Sequence, residues 1–78
     1  MTAFFITGVM VEIVKGYCAK VQSINIKNNY NTIFVAFAKD TNLKPYLNHY
    51  VEISGEISIF KDKTYLFANK IIDLGGML

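Results

Sequence analysis

The sequence predicts an all-β domain built from five short strands. Its 78 residues are 53% hydrophobic and 14% aromatic, which is enough apolar material for the core of one small domain and excludes intrinsic disorder. Apolar residues alternate with other residues along most of the chain, as at Val9, Val11 and Ile13. This period of two is typical of half-buried strands, and the segments are rich in the β-branched and aromatic residues that strands favour.

Short polar or glycine-containing turns separate the alternating segments. The turn signals are Lys15–Gly16, Asn28–Asn29 and 61–63. Gly8 and Gly55 lie inside predicted strands, and we expect them where a small sheet bends sharply. The predicted strands cover 4–14, 17–27, 31–39, 50–60 and 64–72.

Residues 41–49 interrupt the strand pattern and predict a short helix. Thr41 or Asp40 can cap its first turn, and Leu43 and Leu47 are spaced to lie on one face. Pro45 limits the helix to one or two turns, since proline suits only a first turn. The order of three strands, a short helix and two strands is that of the OB-fold, a small five-stranded Greek-key barrel. An SH3-like barrel is the competing prediction, but a helix between the third and fourth strands favours the OB-fold.

Composition excludes several classes of protein. The single cysteine, Cys18, cannot form an internal disulfide, and with one histidine, His49, the chain has too few ligands for a four-ligand zinc site. The longest stretches without charge have 11 residues, against about 20 for a membrane-spanning helix. No basic residue precedes the first apolar run, so the chain does not start like a signal peptide. We therefore expect a cytoplasmic protein.

Catalysis has little support in the residue pattern. His49 follows the short helix, and no serine or cysteine lies at a recognisable catalytic spacing from it. Cys18 is expected to act as a small, half-buried hydrophobic residue. Glu52 and Glu56 are expected on the solvated face of the fourth strand rather than around a metal. The sequence therefore predicts no enzyme, no metal and no cofactor.

Charge is unevenly distributed along the chain, although the net charge is only +2. No acidic residue lies between Ile13 and Lys39, whereas five of the six acidic residues follow Lys39. This asymmetry predicts one face that can approach a polyanion. Arginine is absent, so lysine is the only strong cation available for phosphate contacts.

Three motifs in the middle of the chain occur in a recognisable order. A strand ends in Phe37-x-Lys39, the short helix ends in Tyr46–Leu47, and the fourth strand carries V-x-I-x-G-x-I at 51–57. In this order they resemble the middle of bacterial single-stranded DNA-binding proteins and of the related primosomal replication proteins. The resemblance covers about a third of the chain. The chain departs from the family in lacking its tryptophans and in the shortness of the hairpin at 61–63.

The resemblance implies that a base stacks on Phe37 and that Lys39 lies beside a phosphate. If Phe37 faces outward, strand parity puts Asn31, Ile33 and Val35 on the same face. On the second strand, if Ile24 and Ile26 are core, the outward residues are Ser23, Asn25 and Lys27. On the fifth strand, if Leu66 and Ala68 point inward, Tyr65 and Phe67 point outward. The predicted nucleic-acid-binding residues are Lys15, Tyr17, Lys20, Asn25, Lys27, Asn31, Phe37, Lys39, Tyr65 and Phe67.

The expected function is non-enzymatic binding of single-stranded DNA, in replication or maintenance of a mobile or AT-rich genome, with RNA as an alternative ligand. Ile33 and Val35 on the same face would form an apolar patch of the kind that marks protein interfaces. This patch favours an alternative function, an accessory subunit that docks on a polymerase, primase or helicase, or a homo-oligomer. Two copies could also pair through the first strand, where the residues expected off the main core parity are Phe4, Ile6, Met10 and Val14.

Overall fold

The computed structural model of the protein describes residues 2–24 and 30–76, which form five strands and one short helical turn. The all-β prediction is confirmed, and each strand overlaps its predicted segment. The predicted helix is a single 3-10 turn that has Pro45 in its first positions. The elements are β1 (Thr2–Val14), β2 (Cys18–Ile24), β3 (Tyr30–Ala36), the 3-10 turn (Lys44–Tyr46), β4 (His49–Phe60) and β5 (Lys63–Gly76).

The five strands form one sheet that closes in a ring, in the order β1-β2-β3-β5-β4. β1 pairs with β4 through its first half and with β2 through its second half. Neighbouring strands are antiparallel except β3 and β5, which are parallel and pair at Ala36 and Phe67. The β4–β5 hairpin continues to the pair Phe60–Lys63. It therefore extends past the pair Thr2–Ile57, where the described pairing of β1 with β4 ends.

The core lies inside the ring and is apolar. No polar or charged residue in the described ranges is buried. The side chains of Met10 and Ile53 are among the largest that are fully buried, and they come from neighbouring strands. The main buried cluster consists of Met10, Ala19, Val21, Val35, Phe37, Leu43, Val51, Ile53 and Ala68.

A bulge just after Met10 changes the side of the sheet that β1 presents to the core. Phe4 and Ile6 pack against the core before the bulge, and Ile13 packs against it after the bulge. Met10 itself is fully buried. The expectation that Phe4, Ile6 and Met10 lie off the core parity is therefore wrong. Val14 lies beyond the bulge and is half-buried.

Gly8 and Gly55 lie where two strands approach too closely for a side chain. A Cβ atom at Gly8 would overlap the backbone carbonyl of Gln22 on β2, and one at Gly55 would overlap the carbonyl of Phe67 on β5. The register of β4 and β5 also shifts next to Gly55. Glycine is thus required at both positions by the close approach of the neighbouring strand.

The segment between β3 and β4 packs onto the core. Leu43 is buried and Tyr46 contacts the same cluster. Asn48 has a left-handed φ of 65° and donates its backbone N–H to the carbonyl of Met10 at 2.7 Å. Leu47 is exposed because the chain becomes extended directly after the 3-10 turn, so the expectation that Leu43 and Leu47 share one face is wrong. No helix within 2–24 and 30–76 has the length and apolar composition needed to cross a membrane.

Candidate nucleic-acid interface

Phe37 belongs to the core and not to a ligand-binding surface. Its side chain is only 7% exposed and lies in the same buried cluster as Val35 and Leu43. Val35 faces the inside of the ring, and Phe37, two residues further along an extended chain, points the same way. The backbone N–H of Phe37 also donates to the carbonyl of Tyr17 at 2.8 Å. The expectation that Phe37 is exposed and stacks on a base is therefore wrong.

In both β2 and β3, the residues that face the core are not the ones that the sequence predicts. Val35 is fully buried and Ile33 packs against the core, so they form no apolar surface patch. On β2, Ala19 and Val21 are fully buried. Ser23 has the same parity as these two residues and is half-buried. The inner and outer sets of β3 are thus exchanged, and in the described part of β2 the parity of Ser23 faces inward and not outward.

The polar residues predicted on this surface have different positions. Asn31 is exposed at the start of β3, but it shares the inward parity of Ile33 and lies opposite Ser23. The hydroxyl of Ser23 reaches the backbone carbonyl of Asn31 at 3.5 Å. Asn31 is therefore at the end of the ring and not on its outer surface. Asn25 and Lys27, together with the end of the predicted second strand, lie outside the described residues.

Three aromatic side chains occupy the outer surface of β3 and β5. Phe34 is 51% exposed, Phe67 49% and Tyr65 39%. On β5, Leu66 and Ala68 point toward the core, as predicted, which directs Tyr65 and Phe67 outward. The ring centroids of Tyr65 and Phe67 are 6.4 Å apart, with the ring planes tilted by 34°. The outward position predicted for the two β5 aromatics is confirmed.

The strand register brings these rings to one side of the molecule. Ala36 of β3 pairs with Phe67 of the parallel strand β5. Phe34 and Tyr65 each precede this pair by two residues and both are exposed, so they lie at the same level of the sheet. Phe60, at the end of β4, is 61% exposed. We call Phe34, Phe60, Tyr65 and Phe67 the aromatic face.

An open apolar depression lies on the β4–β5 part of the aromatic face. It has a volume of about 310 Å³ and is lined by Ser58, Phe60, Tyr65 and Phe67. Ser58 pairs with Tyr65 across the hairpin, which places its hydroxyl among the rings. Lys61 Nζ lies 5.5 Å from the centroid of the Phe60 ring, in a cation–π contact. The depression therefore combines aromatic walls, hydroxyl groups and a cation at its rim.

Charges of opposite sign border the aromatic face on its two sides. Lys20 on β2 pairs with Phe34. The ammonium of Lys20 is 3.6 Å from the carboxylate of Glu12. Because both side chains are exposed, this ion pair contributes little to the stability of the fold. Glu56 on β4 is exposed and pairs with Phe67. A polyanion would thus be attracted on the β2 side and repelled on the β4 side.

Lys15, Tyr17 and Lys39 lie in the two segments that meet at the carboxyl end of β3. The hydrogen bond between Tyr17 and Phe37 joins the β1–β2 turn to the segment that follows β3. Lys15 is exposed in that turn with a left-handed φ of 53°, and Lys39 is exposed two residues after Phe37. This hydrogen bond and the pair Cys18–Ala36 place the segments that carry Lys15, Tyr17 and Lys39 next to the end of β3.

The sequence reasoning missed Phe34, Phe60 and Lys61. Phe34 is assigned to the core as soon as Phe37 is taken as exposed, because the two positions have opposite parity. Because every residue from Ile33 to Phe37 is apolar, the sequence does not determine whether Phe34 or Phe37 faces the core. Phe60 and Lys61 could have been identified from their position at the predicted hairpin turn, because the end of a hairpin projects from a small sheet and exposes its side chains.

His49 and Asp73 connect the beginning of β4 to the end of β5. His49 Nδ1 lies 2.9 Å and 3.0 Å from the two carboxylate oxygens of Asp73, and the backbone N–H of Gly75 donates to this carboxylate at 2.8 Å. The hydrogen bond with His49 and then that from Gly75 lower the pKa of Asp73 below its usual value of 3.8. In the ranges that the structure covers, no three residues of the metal-binding types lie close enough to hold an ion.

Comparisons of the chain with protein families, with curated proteins and with solved structures give no match. The resemblance to single-stranded DNA-binding proteins therefore rests on the motifs at 33–59 alone.

Proposed function

We propose that this protein is a cytoplasmic OB-fold that binds single-stranded DNA without catalysing a reaction, in DNA replication or maintenance. The fold assignment is supported by the strand order β1-β2-β3-β5-β4 and by the parallel pairing of β3 with β5. The helical turn between β3 and β4 agrees with the same fold. OB-folds bind oligonucleotides across β2 and β3 and through the β1–β2 and β4–β5 loops.

The observation that carries the proposal is the aromatic face itself. Phe34 and Tyr65 expose their rings at one level of the sheet, and Phe67 exposes its ring two residues further along β5. Lys20 pairs with Phe34. Leaving three aromatic rings in water forgoes the stability that their burial would provide. Stacking of a base on an aromatic ring contributes about 1–3 kcal/mol, and it suits unpaired bases of any sequence.

The charge pattern determines which parts of the aromatic face the phosphates and the bases of a bound strand occupy. Phosphates are favoured near Lys20 on β2 and near Lys61 and Lys63 at the hairpin turn, since lysine attracts phosphate and binding releases counterions. Glu56 disfavours phosphates on the β4 side. Bases therefore point toward Tyr65 and the depression, while the backbone runs along the β2 side and the hairpin tip.

The test is the fluorescence anisotropy of a labelled oligo-dT of about 30 nucleotides, long enough for one OB-fold site. Phe34→Ala is compared with Tyr50→Ala, which removes an aromatic side chain of similar exposure from the far end of β4. We expect binding to oligo-dT but not to duplex, weaker binding for Phe34→Ala, and unchanged binding for Tyr50→Ala. No binding by the wild-type protein, or equal loss in both variants, would overturn the proposal.

Docking on a replication enzyme is the second candidate function, and a different surface supports it. Ile33 and Val35 are not exposed, but Phe5 on β1 and Ile72 on β5 are, and they flank β4 on its two sides. Salt distinguishes the two functions. Nucleic-acid binding weakens steeply between about 50 and 200 mM salt, whereas an apolar protein contact hardly changes.

A further inference from the structure

The β4–β5 hairpin projects from the ring as a two-stranded arm. β4 pairs with described residues of β1 only up to Ile57, and β5 pairs with β3 at Phe67. Between these points, residues 58–60 pair with 63–65 and with no other described residue. A two-stranded hairpin alone is marginally stable in water. A further strand paired at its edge would therefore stabilise this arm.

The arm carries exposed apolar side chains on both of its faces. Ile59 has the parity of the core residues but is 75% exposed, because the arm extends past the pair Thr2–Ile57. Phe60 is 61% exposed on the opposite face. Among large hydrophobic residues in the described ranges, only Phe5 is comparably exposed.

The two edges of the arm differ in charge. The β5 edge begins with Lys63, and lysine on an edge strand is a common protection against pairing with another chain. The β4 edge consists of Ser58, Ile59 and Phe60 and carries no charge. Like charges directly opposite each other destabilise a sheet. Pairing of this edge with an identical edge places no like charges opposite each other.

We propose that the β4 edges of two copies of this chain pair antiparallel across a two-fold axis at Ile59. Antiparallel pairing of one edge with itself gives a closed, two-fold symmetric dimer. It places Ile59 against Ile59 of the second copy, covering the most exposed hydrophobic side chain in the described ranges. The two arms become one four-stranded sheet, in which every edge amide of 58–60 that points away from β5 has a partner.

The same register makes the second copy part of the nucleic-acid interface. Ser58 lies opposite Phe60 of the second copy, and directly opposite residues point to the same face. Phe60 of the second copy thus lies beside the depression formed by Ser58, Tyr65 and Phe67. The dimer does not depend on the proposed function, but it would join two aromatic faces into one longer surface.

Only three residue pairs form the new ladder, so the dimer is weak in the absence of nucleic acid. Two copies bound to one DNA strand raise each other's effective concentration to the millimolar range. A contact that is weak in free solution is then enough to make neighbouring copies bind cooperatively.

The test is sedimentation equilibrium of the 78-residue chain without nucleic acid, from about 10 to 500 µM, the range suited to weak association. We expect a monomer–dimer equilibrium, and Ile59→Lys is expected to weaken it at least about tenfold because it puts two like charges opposite each other. The matched control is Phe5→Lys, which changes a residue of 65% exposure outside the arm and leaves the equilibrium unchanged. A monomeric wild-type protein throughout this range, or equal effects of both variants, would overturn the proposal.

Amide hydrogen exchange of the wild-type protein provides a measurement that needs no variant. Exchange at Ser58–Phe60 is expected to slow as the protein concentration rises, while exchange at the start of β4 stays constant. Exchange at Ser58–Phe60 that stays the same at every protein concentration in the absence of oligo-dT would reject the dimer. Because sedimentation uses no DNA, its failure leaves the proposed DNA binding standing, and a failure of oligo-dT to bind leaves the dimer standing.

Discussion

Phe34 and Phe37 lie three positions apart and point to opposite sides of the sheet. Phe37 packs inside the ring with Leu43 and Val35, whereas half of the Phe34 side chain is open to solvent. One ring therefore stabilises the fold, and the other is available to a ligand.

Alanine substitutions at these two positions are expected to separate stability from binding. Phe37→Ala leaves a cavity in the core and should cost about 3–5 kcal/mol, much of the stability of a domain this small. Phe34→Ala should leave stability nearly unchanged but weaken oligo-dT binding about 5- to 100-fold, the equivalent of one lost stacking contact. Urea denaturation and anisotropy measure the two effects. A well-folded Phe37→Ala variant with impaired DNA binding would contradict the assignment.

The strands could be predicted from the sequence because their alternation and turns are local features. The turn at Lys15–Gly16 and the hairpin turn at 61–63 have clear local signals. The side of each strand that faces the core is not local. From Ile33 to Phe37 every residue is apolar, so either phase buries hydrophobic residues, and the choice depends on how β3 packs against its neighbours.

The candidate site was predictable only where the two sides of a strand differ. On β5, small or aliphatic residues alternate with aromatic ones, and the outward position of Tyr65 and Phe67 followed from that pattern. On β1, the bulge after Met10 changes the phase within the strand. A bulge depends on pairing with β2 and leaves no clear mark in a single sequence. For this reason Phe4 and Ile6 were expected outside the core and lie against it.

Substitution of Gly55 should be more damaging than substitution of Gly16. Gly16 has a positive φ of 79° but open space around it, so Gly16→Ala should cost about 1–2 kcal/mol of backbone strain alone. In Gly55→Ala the new methyl group overlaps the backbone of Phe67. β4 and β5 must then move apart, which should cost more than the strain at Gly16 and displace Phe67 from the aromatic face. Thermal denaturation ranks the two variants, and equal melting temperatures would contradict the close approach of β4 and β5.

Acid should weaken the connection between His49 and Asp73. The pKa of Asp73 is lower in the folded protein than its usual value of 3.8, first because of the hydrogen bond with His49 and then because of that from Gly75. A carboxyl group with a lowered folded-state pKa stabilises the fold above its unfolded-state pKa. This contribution is lost as the pH falls below about 4 and through the folded-state value.

The melting temperature from about pH 2 to 6 tests this connection in the wild-type protein, Asp73→Asn and the control Asp40→Asn. The advantage of the wild-type protein over Asp73→Asn should be small, because the group is exposed, and it should disappear at the acid end of the range. Asp40→Asn, an exposed acid after β3, should not reproduce this pattern. A constant difference between the wild-type protein and Asp73→Asn at every pH would show that the Asp73 carboxylate is not stabilised as the geometry indicates.

Removal of either acidic residue that borders the aromatic face should strengthen DNA binding. Glu12→Gln releases Lys20 from its 3.6 Å ion pair, and Glu56→Gln removes a negative charge opposite Phe67. One unit charge about 8 Å from a phosphate in water is worth about 0.5 kcal/mol, so each change should raise the affinity about twofold at low salt.

Both effects should decrease as salt is added, because screening shortens the range of exposed charges to about 8 Å at physiological ionic strength. Anisotropy titrations with oligo-dT at about 50 and 200 mM salt measure this change. Glu52→Gln is the control, since Glu52 lies nearer the start of β4 and pairs with Ile72 and not with a member of the aromatic face. If Glu52→Gln raises the affinity as much as Glu56→Gln, then net charge alone accounts for the gain, and the bound strand does not lie where the aromatic face would hold it.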